Sequence, residues 1–373
     1  MSEPSRADRQ PAFWRARHAG SPVRCHESVT SCRAVVFLVA GLLLGAMLLP
    51  GPVSFARERV TGAGASFPFP LYSNWFKAFS RAHPDVIVDY QSKGSGAGVR
   101  DFLNRTVDFA ASDAAMSDEE MAAVEGGVVL LPVTAGEITL VYNLPGIDRG
   151  LRLPRDVYPA IFRGEIRRWN DPRIAAANPD LDLPELPITV VRRADSSGTT
   201  NAFTRHLTAV DPAWAAGPGT GKTVQWPQGA RYVAAPKNDG VTSTILQTPG
   251  GLGYVEHAYA KFSGVEPAAL ENAAGRFVLP GEGGGREALD EVTLPEDLRV
   301  WVDDPAADAA YPIVTYTWLL FYRDHGDPEV AALLRELVRY CMTEGQAVAD
   351  RLGYVSLPPR VVEKVLAAAE GIG

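Results

Sequence analysis

The stretch Val60-Thr61-Gly62-Ala63-Gly64-Ala65-Ser66-Phe67 contains a short apolar strand that runs into a glycine-rich turn. A helix is predicted after this turn, over residues 70–82, because aromatic side chains recur there at helical spacing on one face. These side chains are Tyr72, Trp75, Phe76 and Phe79. An aromatic stripe of this kind is typical of a helix face that packs into a hydrophobic core.

The order of strand, turn and helix occurs twice more in the residues that follow. Residues 86–90 alternate as a strand and lead to a second glycine-rich turn around Ser95. Residues 107–111 form a third predicted strand, which ends at Ser112-Asp113 before a capping-box pattern at residues 117–120. Alternating β and α units predict an α/β fold with a mainly parallel sheet, whose strand ends carry these turns along one edge.

The length of the chain indicates more than one core. At 373 residues it is too long for one ordinary core and suits two lobes. Residues 138–143 are predicted to make the first crossing into the second lobe, and residues 313–322 are predicted to return as a strand. We therefore assign residues 57–135 and 313–373 to lobe I, and residues 136–312 to lobe II.

Lobe II repeats the order of strand, turn and helix, and its turn also contains charged residues. A predicted strand over residues 188–192 leads into the polar run at residues 193–199, and an amphipathic helix follows. Residues 270–310 are rich in Gly, Pro and acidic side chains, and they are predicted to form surface connections.

Residues 1–56 have the pattern of an export signal. They combine six arginines, an uninterrupted apolar run at residues 34–49 and the small-residue pattern Ser54-Phe55-Ala56. Cleavage after Ala56 would place the mature protein in the periplasm. The alternative is an uncleaved membrane anchor, although the apolar run is shorter than the ~20 residues that a spanning helix needs.

Charge and cysteine content exclude several classes of protein. The whole chain carries a formal net charge of −8, and residues 1–56 hold six arginines and three acidic residues, so residues 57–373 carry −11. Such a surface repels nucleic acid and anionic lipid. Because Cys25 and Cys32 lie in the leader, Cys341 is alone in the mature chain, where it is predicted to be a buried apolar residue and not a disulfide partner.

Four loops have the composition of an oxyanion site. An oxyanion needs several converging donors, which helix N-termini, small residues that allow close approach, and Ser or Thr hydroxyls supply. Any one of these loops alone would be read as a helix cap. Together, at the ends of neighbouring strands, they predict one anion shell. The loops contain Ser66 and Phe67, Ser95, Ser112 and Asp113, and Ser197, Gly198 and Thr199.

Three charged residues add specificity to this shell. Arg193 can present a guanidinium fork to two oxygens of a tetrahedral anion, with Asp195 holding the fork in place; a surface ion pair between them is the alternative. Asp113 would repel a fully ionised anion. The presence of this carboxylate is explained if the ligand donates a proton to it, as phosphate does near neutral pH and sulfate does not.

Two enzymatic functions are alternatives to anion binding, but the sequence supports both of them less well. The run AGPGTGKT at residues 216–223 satisfies a relaxed phosphate-loop pattern of nucleotide-binding enzymes, but neither a strand before it nor a helix after it is predicted. A hydrolase is disfavoured because the four histidines of the mature chain show no metal-ligand spacing and no Gly-x-Ser-x-Gly elbow is present. His206 is predicted to have a surface or packing role and not a catalytic one. We expect no enzyme activity, no metal and no cofactor.

Several separate runs resemble one family, the PstS family of periplasmic phosphate-binding proteins. They are TGAGASF (61–67), VDFAASD (107–113), VVRRADSSGT (190–199) and GYVEHAYA (253–260). Shorter similar stretches are RWND (168–171), NDG (238–240) and YVSLP (354–358). The resemblance therefore covers nearly all of residues 59–370.

The resemblance implies a type II periplasmic-binding fold, in which two crossovers join two α/β lobes that close on the anion. It also implies a monomer that delivers inorganic phosphate to the permease of an ABC transporter; a binder of another oxyanion or a phosphate sensor is the alternative. The family usually has Thr at position 66 and Gly at position 196, where this chain has Ser. Carried over by motif, the phosphate shell consists of Ser66, the backbone of Phe67, Ser95, Asp113, Arg193, Ser197, Gly198 and Thr199, with Asp195 orienting Arg193.

Overall fold

The computed structural model describes residues 57–229 and 231–373. The predicted leader, with its apolar run and cleavage site, lies outside the described residues. Ala56–Gly373 form one compact unit. Within the described ranges, no helix combines the length and apolar character that crossing a membrane would require.

The described residues alternate between strands and helices along most of their length. The strands are β1 (Glu58–Gly64), β2 (Val86–Ser92), β3 (Phe109–Ser112), β4 (Val128–Asn143), β5 (Arg152–Leu153), β6 (Thr189–Arg193), β7 (Arg231–Ala235), β8 (Gly251–Glu256), β9 (Ala269–Glu271), β10 (Phe277–Val278) and β11 (Val314–Tyr322). The helices are α1 (Phe69–Ala82), α2 (Ser95–Leu103), α3 (Asp118–Ala122), α4 (Val157–Phe162), α5 (Pro172–Ala177), α6 (Gly198–Val210), α7 (Pro212–Ala215), α8 (Lys237–Leu246), α9 (His257–Ser263), α10 (Gly284–Asp290), α11 (Pro328–Met342), α12 (Gln346–Leu352) and α13 (Pro359–Ala369).

Eight strands form one continuous sheet in the order β2-β1-β3-β11-β4-β8-β6-β7. At one end β1 pairs in parallel with β2 and β3, and at the other end β6 pairs in parallel with β7 and β8. The long strand β4 and its neighbour β11 are antiparallel insertions between these two parallel groups. This arrangement confirms the α/β class and the two-lobed fold.

Strand β4 begins well before the predicted crossing at residues 138–143. It runs without a break through Val128–Asn143 and is almost entirely buried. Its first part pairs with β11 and its last part with β8, so one strand serves both halves of the sheet. Pro132, which lacks an N–H and favours a break, instead sits opposite a register shift in β11 between Thr317 and Trp318. The chain therefore passes from one half of the sheet to the other without leaving it.

The aromatic stripe of α1 packs into the core as predicted. Leu71, Tyr72, Trp75, Phe76 and Phe79 are all buried on one face of the helix. Each fully buried side chain of this size contributes about 1.5–3 kcal/mol of apolar burial. The indole N–H of Trp75 donates to the carbonyl of Gly345 over 2.7 Å, which satisfies the one polar atom of that side chain.

Residues 270–310 are more than the predicted surface connections. They contain β9, β10 and α10, and Leu289, Leu294 and Leu298 are buried. The backbone carbonyl of Leu298 accepts a hydrogen bond from the indole of Trp318 over 2.9 Å. These leucines are scattered among Gly, Pro and acidic residues, so they give no periodic signal in the sequence.

Candidate functional site

The predicted lobe I residues lie together at one edge of the sheet. Ser66 follows β1, Ser95 opens α2 directly after β2, and Asp113 follows β3. Because β1 lies between β2 and β3 in the sheet, parallel pairing brings all three strand ends to the same side. All three side chains are at most 2% exposed.

The turn after β1 depends on the absence of a side chain at Gly64. Its backbone has φ +146°, and a Cβ there would lie against the backbone of Ala111. The carbonyl of Gly64 accepts the backbone N–H groups of Lys93 and Gly94 over 2.9 Å and 2.8 Å. Glycine therefore lets the turn before Ser66 and the turn before Ser95 touch through their backbones.

The predicted lobe II loop connects β6 to α6. Arg193 is the last residue of β6, and Ser197 caps α6 by accepting the backbone N–H of Thr200 over 3.0 Å. Ser197, Gly198 and Thr199 are buried, which places the first N–H groups of this helix inside the protein. The helix N-terminus therefore offers donors and the positive end of its dipole to the cluster.

The two sets of loops are in direct contact. The hydroxyl oxygen of Ser95 accepts the backbone N–H of Gly198 over 3.1 Å and that of Asp113 over 3.2 Å. A Cβ on Gly198 would lie 2.7 Å from the Asp113 carboxylate, so glycine is required at this approach. Ser196, where the family usually has Gly, is accommodated because its partner Gly96 has no side chain and donates its N–H to the Ser196 carbonyl over 3.0 Å.

Arg193 and Asp195 form a buried, two-pronged pair and not a surface ion pair. The Arg193 side chain is only 2% exposed, and its Nε and Nη2 atoms lie 2.8 Å and 2.5 Å from the two Asp195 oxygens. Its Nη1 atom donates to the Thr199 hydroxyl over 3.1 Å. Burial acts to raise the pKa of Asp195, but the hydrogen bonds and charge of Arg193, with the backbone N–H of Lys237, hold that pKa below its usual value.

Asp113 is a buried carboxyl group whose pKa is raised to about 7, chiefly because burial disfavours its charged form. Three neighbours oppose that shift: the hydrogen bond that the Thr317 hydroxyl donates to Oδ1 over 2.8 Å, the charge of Arg193, and the hydrogen bond from Ser95. The Ser95 hydroxyl lies 3.3 Å from the other oxygen, Oδ2. Near neutral pH this group can therefore either hold a proton or accept a hydrogen bond from a ligand.

Phe67 is predicted to contribute to the site through its backbone alone. Its side chain is fully buried in the core, and its carbonyl accepts a hydrogen bond from the Tyr354 hydroxyl over 2.7 Å. The structure thus brings every predicted shell residue into one buried cluster, with Asp195 beside it.

The cluster also contains two residues to which sequence reasoning assigned no role. Thr317 reaches Asp113 from the middle of β11, where an apolar run hid its hydroxyl. Asn238 is fully buried in the first turn of α8 and contacts both Ser66 and Thr199. In the sequence, the run NDG (238–240) only adds to the family resemblance. A polar residue at the start of a helix is the one signal that points to a role for Asn238.

The enzymatic alternatives find no support in the geometry. The phosphate-loop-like run at residues 216–223 follows the short helix α7 and precedes no helix, and Lys222 forms an ion pair of 2.8 Å with Glu120. His206 is buried, stacks on Tyr158 and contacts its hydroxyl over 2.7 Å, which confirms a packing role. Burial also lowers its pKa to about 4.

Among residues 57–229 and 231–373, no group of three or more His, Cys, Asp or Glu side chains is arranged to hold a metal ion. Cys341 is fully buried, as predicted, and burial raises the pKa of its thiol.

Comparisons with known proteins agree on one family. Residues 51–344 match the family described as the PBP superfamily domain. The phosphate-binding protein PstS of Pasteurella multocida is 33% identical over 329 residues, which cover 87% of this chain and 94% of the relative. The phosphate-binding protein PstS of Haemophilus influenzae is 35% identical over 323 residues, which cover 86% of this chain and 95% of the relative.

Solved structures show a similar fold. A high affinity periplasmic phosphate-binding protein (PfluDING), solved with bound phosphate, aligns with a TM-score of 0.70 at 22% identity, covering 83% of this chain and 93% of its own. A phosphate-binding protein from Stenotrophomonas maltophilia aligns with a TM-score of 0.67 at 21% identity and the same coverage.

Proposed function

Since this chain belongs to the PstS family of phosphate-binding proteins, we propose that it captures inorganic phosphate in the buried cluster between its two lobes and delivers it to the permease of an ABC transporter. One observation carries this proposal: a helix N-terminus, an oriented guanidinium and a carboxyl group with a raised pKa lie together in one buried cluster. The first two attract an oxyanion, and the third, in its ionised form, favours an oxyanion that carries a proton.

Positive charge and backbone donors hold the anion. Arg193, fixed by Asp195, presents its guanidinium toward the Thr199 hydroxyl and supplies the full positive charge of the site. The N–H of Thr199 in the first turn of α6 and the hydroxyls of Ser66 and Ser197 add donors. Ser95 and Gly198, which bond to each other over 3.1 Å, add theirs by exchanging that hydrogen bond for one to the anion. The chain carries a net charge of −8, so its overall electrostatic field does not attract an anion. The local donors and the guanidinium therefore select the ligand.

Asp113 distinguishes phosphate from sulfate. Phosphate near neutral pH keeps at least one proton, which it donates to the Asp113 carboxylate in a charge-assisted hydrogen bond. Sulfate has no such proton, so two negatively charged oxygens would face each other in a buried site. A pKa of about 7 for Asp113 in the protein means that ionising this residue for the ligand costs little near neutral pH.

The wider roles follow from the family. We assign residues 57–135 and 313–373 to lobe I and residues 136–312 to lobe II, with β4 and the segment that enters β11 as the two crossovers. The protein works as a monomer in the periplasm after the leader is removed. We propose binding and release with no chemical step, so that phosphate leaves as it arrives.

Titration calorimetry of the purified protein with phosphate and then with sulfate tests the proposed function. We expect tight binding of phosphate at pH 7–8 and much weaker binding of sulfate. Equal affinity for the two ions would overturn the role of Asp113, and absence of phosphate binding would overturn the function itself. Turnover of p-nitrophenyl phosphate would contradict a role in binding alone.

A further inference from the structure

The Asn238 side chain connects the two sides of the anion cluster. Its Nδ2 atom lies 2.9 Å from the hydroxyl oxygen of Ser66 and 3.2 Å from that of Thr199. Its backbone N–H donates to the same Ser66 oxygen over 3.2 Å. Ser66 comes from the turn after β1 and Thr199 from the first turn of α6, so one amide group spans both halves of the shell.

The orientation of this amide is determined by a third contact. Its Oδ1 atom lies 3.0 Å from the backbone nitrogen of Glu256, which can only donate. The amide oxygen must therefore face Glu256, and the NH2 group must face the two hydroxyls. The usual ambiguity between the oxygen and nitrogen of an asparagine side chain does not arise here.

This orientation decides what the two hydroxyls can do. The Ser66 oxygen accepts two hydrogen bonds from Asn238, and the Thr199 oxygen accepts one from Asn238 and one from Arg193. A hydroxyl has two acceptor lone pairs and one donor hydrogen, so both acceptor positions of each oxygen are filled. In the part of the chain that the structure describes, neither hydroxyl hydrogen has an acceptor.

The geometry points to Asn238 as a positioning residue that converts Ser66 and Thr199 into obligatory hydrogen-bond donors to the bound anion. This inference rests on the proposed phosphate site and deepens it. Without Asn238 each hydroxyl could turn its hydrogen toward another protein oxygen, or present a lone pair to the anion. With Asn238 in place, the only remaining use for both hydrogens is to point at an acceptor in the cluster.

The first measurement is phosphate affinity by titration calorimetry for Asn238→Ala and Asn238→Asp. We expect Asn238→Ala to bind phosphate at least about tenfold more weakly, in line with the loss of oriented bonds to a charged ligand. We expect a larger loss for Asn238→Asp, which keeps the size of the side chain and the contact to Glu256 but offers the two hydroxyls an acceptor. Asn238→Asp keeps the test valid if Asn238→Ala does not fold.

Asn272→Ala is the matched control. Asn272 is also buried, and its amide also bonds to backbone groups on both sides, at the carbonyls of Asp308 and Ala310 and at the N–H groups of Ala274 and Arg276. We expect this variant to unfold at a lower temperature while its phosphate affinity stays within twofold of the original protein.

A double-mutant cycle separates positioning from general support of the fold. In a Ser66→Ala and Thr199→Val background, adding Asn238→Ala should weaken phosphate binding by less than about threefold, because the hydroxyls through which it acts are gone. A loss as large as in the original background would overturn the inference, as would wild-type affinity in Asn238→Asp. Absence of phosphate binding by the unmodified protein would instead overturn the proposed function.

Discussion

The two sides of the cluster provide different chemistry. The lobe I side, with Ser66, Ser95 and Asp113, carries hydroxyls and one carboxyl group but no cation within the shell. The lobe II side carries Arg193, its partner Asp195 and the start of α6. In the proposed function, lobe II therefore supplies attraction for any oxyanion, while lobe I supplies the feature that rejects an anion without a proton. Affinity and selectivity should respond separately to substitutions on the two sides.

The strongest test of this division is Arg193→Ala. Removing the cation leaves Asp195 and Asp113 in a buried site without their positive neighbour, and loss of one partner of a buried pair costs about 3–5 kcal/mol. We expect phosphate affinity to fall roughly a hundredfold to a thousandfold, with sulfate affinity reduced as well. Calorimetry of both ions measures the effect.

Arg205→Ala is the control for Arg193→Ala. Arg205 lies on α6 and pairs two-pronged with Asp303 at 2.7 Å for both contacts, outside the cluster. Its removal should leave phosphate affinity within twofold of the original value. A comparable loss in both variants would show that the Arg193 effect is not specific to the site.

The pH dependence of folding tests the buried carboxyl on the lobe I side. Asp113 has a pKa of about 7 in the folded protein, above its value in the unfolded chain, so the folded state binds its proton more tightly. The corresponding stability is fully present below about pH 4 and is lost as pH rises through 7. A shift of this size corresponds to on the order of 4 kcal/mol.

Denaturant unfolding in phosphate-free buffer measures this effect. We expect the free energy of unfolding of the original protein to fall relative to that of Asp113→Asn between about pH 4 and pH 7, and the difference to be constant above that range. Glu137 and Glu256 also have raised pKa values, but both proteins contain them, so most of their contribution cancels; the charge of Asp113 is only the smallest of the causes given for the shift of Glu256. A difference that does not change with pH would contradict a buried, protonated Asp113.

Selectivity should change most in Asp113→Asn. An amide at this position no longer repels sulfate, so we expect the ratio of phosphate to sulfate affinity to shrink by about tenfold or more. Glu137→Gln is a suitable control, because Glu137 is an equally buried carboxyl with a pKa raised to about 7 that bonds only to the backbone of Gly281 and Gly285. An unchanged ratio in Asp113→Asn, or a changed one in Glu137→Gln, would count against this assignment.

The smallest expected effect concerns Lys222, which links the phosphate-loop-like run of lobe II to Glu120 of lobe I. Its backbone carbonyl also accepts the N–H of Ser197 over 2.9 Å. The ion pair is partly exposed, and such pairs contribute about 0–1 kcal/mol. We expect Lys222→Ala to weaken phosphate binding by less than about fivefold at low salt, with no difference at high salt and no nucleotide binding in either protein.

Lys93→Ala is the control for Lys222→Ala. Lys93 forms a similar ion pair of 2.9 Å with Asp101, but both residues belong to lobe I. This variant should bind phosphate like the original protein at every salt concentration. Nucleotide binding that disappears in Lys222→Ala would restore the enzymatic interpretation of residues 216–223.

Much of the fold and of the candidate site could be predicted because the signals are local. The strand, turn and helix pattern around Ser66, Ser95 and Asp113 lies within a few residues at each position, and so does the cap at Ser197. By contrast, the continuity of β4 through Pro132 and Gly136 could not be predicted. A proline beside a bulge and a glycine packed against Phe67 are acceptable only because particular neighbours are present.

The amino-acid sequence by itself indicated the proposed class of ligand, since glycines, hydroxyls, one arginine and one carboxyl at strand ends suit a protonated oxyanion. Only the tertiary structure decided how these groups are positioned and which contacts they make. Thr317 reaches Asp113 across 204 positions of the chain, and Asn238 reaches Ser66 across 172. Burial, which raises the pKa of Asp113, and the filling of hydroxyl lone pairs both depend on such distant contacts. A local pattern cannot encode them, because they exist only when the chain has folded.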